Sequence, residues 1–160
     1  MIVGERKPLA EIAEMLKPYQ KILVLGCGTC VTVCLAGGEK EAEETAAALS
    51  LLAQKEGKKI DIDTHSIKRQ CEYEFIDEDA EKLAGYDVIL SLACGVGVQT
   101  MTERLPEKIV LPGLNTQFMG FPPEQGVWKE NCLGCGDCVL DLTMGICPIT
   151  RCSKSMLNGP

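Results

Sequence analysis

Cysteines in twos and threes carry the chemistry available to this sequence. Cys27, Cys30 and Cys34 stand in Gly26-Cys27-Gly28-Thr29-Cys30-Val31-Thr32-Val33-Cys34, and Cys132, Cys135 and Cys138 form a Cys-x2-Cys-x2-Cys run followed by Cys147-Pro148 and Cys152. Cys71 and Cys94 complete the ten. In a reducing compartment, thiols grouped in this way bind metal or do redox chemistry. The later run repeats the first three spacings of the bacterial ferredoxin pattern C-x2-C-x2-C-x3-C-P, with its Cys-Pro after eight residues instead of three. Four thiolates suit iron and zinc alike, but structural zinc typically uses two C-x2-C knuckles joined by a spacer. Both groups therefore read as 4Fe-4S sites, with zinc as the alternative in one of them.

Each group needs a fourth ligand, and the surrounding elements have to bring it. Cys27 follows the apolar run Lys21-Ile22-Leu23-Val24-Leu25, and Cys94 follows Asp87-Val88-Ile89-Leu90-Ser91-Leu92-Ala93. Two such runs read as parallel strands covered on both faces, and ligands in open parallel sheets bind beyond the carboxyl ends of the strands. If the two strands are neighbours, Cys94 joins Cys27, Cys30 and Cys34 in the first site, with Cys71 as the alternative fourth ligand. The second site takes Cys132, Cys135, Cys138 and Cys147, with Cys152 as the alternative.

Periodicity supplies the rest of the frame. Leu9, Ile12, Ala13 and Leu16 predict a helix over 8–17, and Ala42, Ala46, Leu49 and Ala53 predict one over 39–56 that stops at Gly57. The Glu residues at 39, 41, 43 and 44 read as a solvated helix start favoured by the helix dipole. Residues 59–64 predict a second strand, Asp77 a cap for a short helix to Leu83, Val98, Met101 and Leu105 a further helix, and 109–111 a last strand. The expected fold class is α/β, a Rossmann-like parallel sheet with helices on both faces over 1–113, followed by a small Cys-rich iron-sulfur appendage over 114–160. In that appendage Phe121-Pro122-Pro123 reads as a connector and Trp128 as packing.

Composition narrows the function. A formal net charge of −7 gives no basic stripe for nucleic acid. No apolar run approaches a membrane span, and the first residues lack a signal-peptide core, so a cytoplasmic protein is expected. Gly26 and Gly28 begin a dinucleotide fingerprint that Val31 breaks. The single histidine, His65, reads as a surface loop residue, and Asp61 and Asp63 as the wet face of a strand. Lys68 and Arg69 could offset thiolate charge near the first site. No catalytic residue and no further cofactor-binding residue stands out, which leaves electron transfer rather than proton or acyl transfer.

Taken together, Glu5-Arg6-Lys7-Pro8, the Gly26–Cys34 stretch with Ala36-Gly37-Gly38-Glu39-Lys40, Arg69-Gln70-Cys71-Glu72, Ala93-Cys94-Gly95-Val96-Gly97 and Gly145-Ile146-Cys147-Pro148-Ile149-Thr150-Arg151-Cys152 resemble the methylenetetrahydrofolate reductase C-terminal domain family. That family comprises the cysteine-rich small subunit that partners a flavin-bearing reductase in anaerobic one-carbon metabolism. The resemblance implies an iron-sulfur subunit of the reductase that converts methylenetetrahydrofolate to methyltetrahydrofolate in the Wood-Ljungdahl pathway. It places the folate, and FMN or FAD, on the partner catalytic subunit, with an upstream iron-sulfur or flavin protein as electron donor.

Overall fold

The computed structural model describes residues 1–136 and 138–152; positions 153–160 of the expected appendage lie outside them. Two compact units emerge, one spanning Gly4–Thr116 and the other joining Met1–Val3 to the chain from Gln117 onward.

In the first unit a four-stranded parallel sheet is built from β2 (Lys21–Cys27), β3 (Asp61–Ile67), β4 (Val88–Ser91) and β5 (Ile109–Pro112), in the order β3-β2-β4-β5. β1 (Ile2–Arg6) belongs to a different sheet. The chain therefore winds outward from β2 to β3, returns, and winds the other way through β4 and β5. That reversal makes the gap between β2 and β4 the topological switch point. The two strands expected to be neighbours are paired in parallel, with Ile22 opposite Val88 and Leu25 opposite Ser91.

Both faces of β2 are covered, which is why it reads as a continuous apolar run. Leu23, Leu25 and Ile89 pack with Ile76 of α4 (Tyr73–Glu78), Leu83 of α5 (Ala80–Ala84) and Met101 of α6 (Gly95–Arg104). On the other side, Ile22 shares an apolar cavity with Leu16 of α1 (Leu9–Leu16) and with Leu49 and Ala53 of α3 (Glu39–Lys55). Each of these buried Leu, Ile and Met side chains contributes about 1.5–3 kcal/mol of apolar transfer. Among the described residues no helix is long and apolar enough to cross a membrane.

Several expectations need correction. Glu41 is no solvated charge: it is buried, and its carboxylate accepts the Gly38 N–H at 2.8 Å, capping α3. Asp77 caps no helix; it lies inside α4 and forms a two-point ion pair with Arg104 of α6, both contacts at 2.7 Å. His65 sits on β3 instead of a loop, with Nε2 3.0 Å from Asp79 and Nδ1 2.8 Å from Lys82.

The second unit holds the largest miss. Where the sequence pattern stops, β6 (Leu114–Glu124) and β7 (Val127–Cys132) form an antiparallel hairpin closed by Gln125-Gly126, with Gly126 at φ +80°. The sheet order is β1-β6-β7. Pro122 and Pro123, read as a connector, lie in β6 where the register shifts between Phe121 and Glu124. An irregularity of this kind is where a strand tolerates residues that have no N–H to donate. Trp128 is half-buried on β7.

Between β2 and α3 the chain doubles back tightly through a short helix, α2 (Cys30–Val33). Leu35 takes a left-handed conformation (φ +57°), letting the Ala36 and Gly37 N–H groups both donate to the Val31 carbonyl. Gly37 then passes so close to β4 that an added Cβ would lie 1.9 Å from the Leu92 carbonyl oxygen. We expect Gly37→Ala to destabilise the protein by more than about 2 kcal/mol in urea denaturation, because the obstacle is backbone and has nowhere to move.

The Arg104 guanidinium holds the Asp77 carboxyl below its ordinary range. A depressed folded-state value means that the α4–α6 contact contributes fully above the ordinary carboxylate pKa and is lost as pH falls through the folded one. Asp77→Asn should therefore flatten the acid limb of the stability profile and leave stability at pH 9 to 10 lowered, as followed by circular dichroism.

Candidate metal centre at the carboxyl end of the sheet

Three loops leave the sheet at the switch point, and each carries a cysteine. Cys27 is the last residue of β2 and is buried. Cys71 follows β3 and is exposed, while Cys94 follows β4 and is half-buried. Their charges are coupled. Burial pushes the Cys27 thiol up, with Cys94 adding to the rise, and Cys71 is raised by burial and then by Cys27 and Cys94. The main-chain N–H groups of Gln70 and Thr29 and the Thr29 hydroxyl oppose the rise at Cys27 by donating to its sulfur.

Positive charge also collects at this end. Arg69, paired with Glu72, feels the charges of Cys71 and Cys30. Lys68 lies over the Phe75 ring, 4.9 Å from its centroid. Cys94 is the N-cap of α6, and Cys30 is the first residue of α2. At the N-terminus of a helix such as α6, free N–H groups and the helix dipole favour negative charge.

Cys34 goes elsewhere. Its buried sulfur accepts the Gly4 N–H at 3.5 Å and donates to the Val31 carbonyl at 3.5 Å, with the Gly4 carbonyl at 3.7 Å. The structure thus brings Cys27, Cys71 and Cys94 to the same end of the sheet and engages Cys34 with backbone on β1.

In the second unit, Cys132 ends β7 and its sulfur accepts the Gly134 N–H at 3.4 Å. Cys132, Cys135 and Cys138 are exposed, whereas Cys147 and Cys152 are half-buried. Thr150, first through its hydroxyl and then its main-chain N–H, lowers the Cys147 thiol from its ordinary value, helped by Ile149 and Arg151. Among the described residues, no three His, Cys, Asp or Glu side chains converge closely enough to share one metal ion.

The C-terminal stretch decides the likeness. Residues 111–160 match the family described as methylene-tetrahydrofolate reductase C terminal. This match to the reductase C-terminal family takes in β6, β7 and Cys132, Cys135, Cys138, Cys147 and Cys152, while the five cysteines of the parallel-sheet unit lie outside it. No curated protein and no solved structure matches the chain.

Sequence reasoning missed Gln70 and Ser91, both fully buried beneath the coupled cysteines. Ser91 did leave a trace, as the one polar residue between Val88 and Ala93. Native-state alkylation should modify Cys71 early, Cys30 and Cys94 later, and Cys27 and Cys34 only after unfolding. Peptide mass mapping reads that order, and early labelling of Cys34 would contradict the placement described.

Proposed function

We propose that this chain is an iron-sulfur electron-transfer subunit of a methylenetetrahydrofolate reductase complex. It relays single electrons to or from a flavin held by a partner catalytic subunit in the Wood-Ljungdahl one-carbon pathway. The observation that carries the reading is topological: Cys27 at the end of β2, Cys71 after β3 and Cys94 after β4 all stand at the carboxyl end of three adjacent parallel strands. The match of the C-terminal stretch to the reductase family supports the choice of complex.

The donor set is soft and suits iron-sulfur or zinc chemistry. We assign Cys27, Cys30, Cys71 and Cys94 to the first site. Cys71 thus moves from alternative to ligand, in place of Cys34, whose sulfur is committed to Gly4 and Val31. The second site takes Cys132, Cys135, Cys138 and either Cys147 or Cys152. A bound 4Fe-4S cluster would supply one-electron storage. The chain's own residues would supply the thiolates, the compensating charge of Arg69 and the α6 N-terminus, and a sheet that holds the loops still. Hydride chemistry on a folate belongs to flavins and nicotinamides, so the isolated chain should have no reductase activity.

Anaerobic iron, sulfide and EPR measurements test the assignment. Cys71→Ser should lose the iron and sulfide of one site, and Cys34→Ser should keep both sites loaded. The reverse result restores Cys34 as ligand, and stoichiometric zinc with negligible iron would make the chain a scaffold. For the function, stopped-flow of the flavin redox change in the complex should be faster with loaded clusters. Equal rates would leave the metal structural.

A further inference from the structure

Gln70 is fully buried, yet every polar atom of its side chain is used. Its Nε2 donates to the Leu25 carbonyl at 2.9 Å and to the Gly26 carbonyl at 3.0 Å. Its Oε1 accepts the Ser91 hydroxyl at 2.5 Å, and the Ser91 oxygen accepts the Ala93 N–H at 3.3 Å. This small network touches the residue immediately before each coupled cysteine: Gly26 before Cys27, Gln70 itself before Cys71, and Ala93 before Cys94. Helix α6 is drawn onto it, since a Cβ on Gly97 would lie 2.7 Å from the Ala93 Cβ and 3.1 Å from the Gln70 Cβ.

An apolar residue could fill this space without the cost of burying an amide. A fully satisfied buried polar network instead selects one arrangement among near-equal packings. Here that arrangement is the spacing of three thiols whose loops share no covalent neighbour. We propose that Gln70 is a positioning residue: with Ser91 it fixes the three strand ends that carry Cys27, Cys71 and Cys94 before any metal arrives, so that only side-chain turns remain to bring their thiols onto one metal. The inference deepens the metal-site reading above and rests on it. Groups behind metal ligands act in this way elsewhere, and their loss typically weakens metal binding by about 10–100-fold.

The test uses the full chain, reduced and metal-free, with Co2+ as the probe. The sulfur-to-cobalt charge-transfer band reports bound thiolates, and Cys71→Ser marks the fraction that depends on this site. In parallel, dibromobimane, which fluoresces on bridging two thiols, is mapped by peptide mass spectrometry for the Cys71–Cys94 bridge. Gln70→Met keeps the volume and removes the amide. It should weaken Cys71-dependent Co2+ binding by at least about tenfold and lower the bridge yield, with far-ultraviolet circular dichroism unchanged. Wild-type affinity and yield in that variant would overturn the proposal. If Gln70→Met does not fold, Ser91→Ala decides, because it leaves the bonds to Leu25 and Gly26 in place. It should move both readouts in the same direction by a smaller factor, and no movement overturns the proposal. A wild-type chain that binds no Cys71-dependent Co2+, but whose bridge yield still falls in the variants, supports the positioning role and removes the metal reading of the site.

Discussion

β2 is hydrogen-bonded along both edges and buried on both faces, so its register against β3 and β4 cannot slip without exposing one apolar set and burying the wrong one. That constraint sets the level of everything above it. Leu25 is held opposite His65 on one side and Ser91 on the other. The next two residues of β2 then reach the carboxyl end of the sheet at the height where the β3 and β4 loops begin. β2 and β3 finish level, Cys27 opposite Ile67, while β4 stops at Ser91 opposite Leu25, which is where the Gln70 side chain meets the Ser91 hydroxyl and the Leu25 carbonyl.

Gathering thiols at one point has an electrostatic cost. Like charges oppose one another and burial favours the protonated form, which is the direction seen at Cys27 and Cys71. Arg69, the α6 N-terminus and donated N–H groups work against that cost. A metal taking such a site would have to displace protons from its thiols, so its occupancy would couple to pH. Cys34 stands outside the balance. It caps the far end of α2, where its sulfur meets β1 instead of the other thiols.

Much of the parallel sheet was legible, because continuous apolar strands, Gly-rich turns and helices of 3.6 period leave strong local signals. Cys94 could be placed beside Cys27 on the ground that parallel strands end together. That the Cys34 sulfur turns toward Gly4 of β1 was not legible. Spacing says which cysteines are near in the chain, while the direction of a sulfur depends on how α2 ends, and that rests on a left-handed leucine at 35. The β6–β7 hairpin escaped for a related reason: two prolines inside a strand argue for a connector unless an irregularity absorbs them. Glu41 looked like one charge in a solvated row, and only the backward turn at Gly38 turns it into a cap.

The edges of the parallel sheet bear on how this unit meets other molecules. β3, at one edge, places Asp61 and Asp63 along its exposed length, and β5, at the other, ends in Pro112, which has no N–H to offer. Charge and proline on an edge discourage a foreign strand from pairing there. The sheet is thus guarded against growing sideways, while the loops at its carboxyl end, with Cys71 exposed among them, stay open to other molecules.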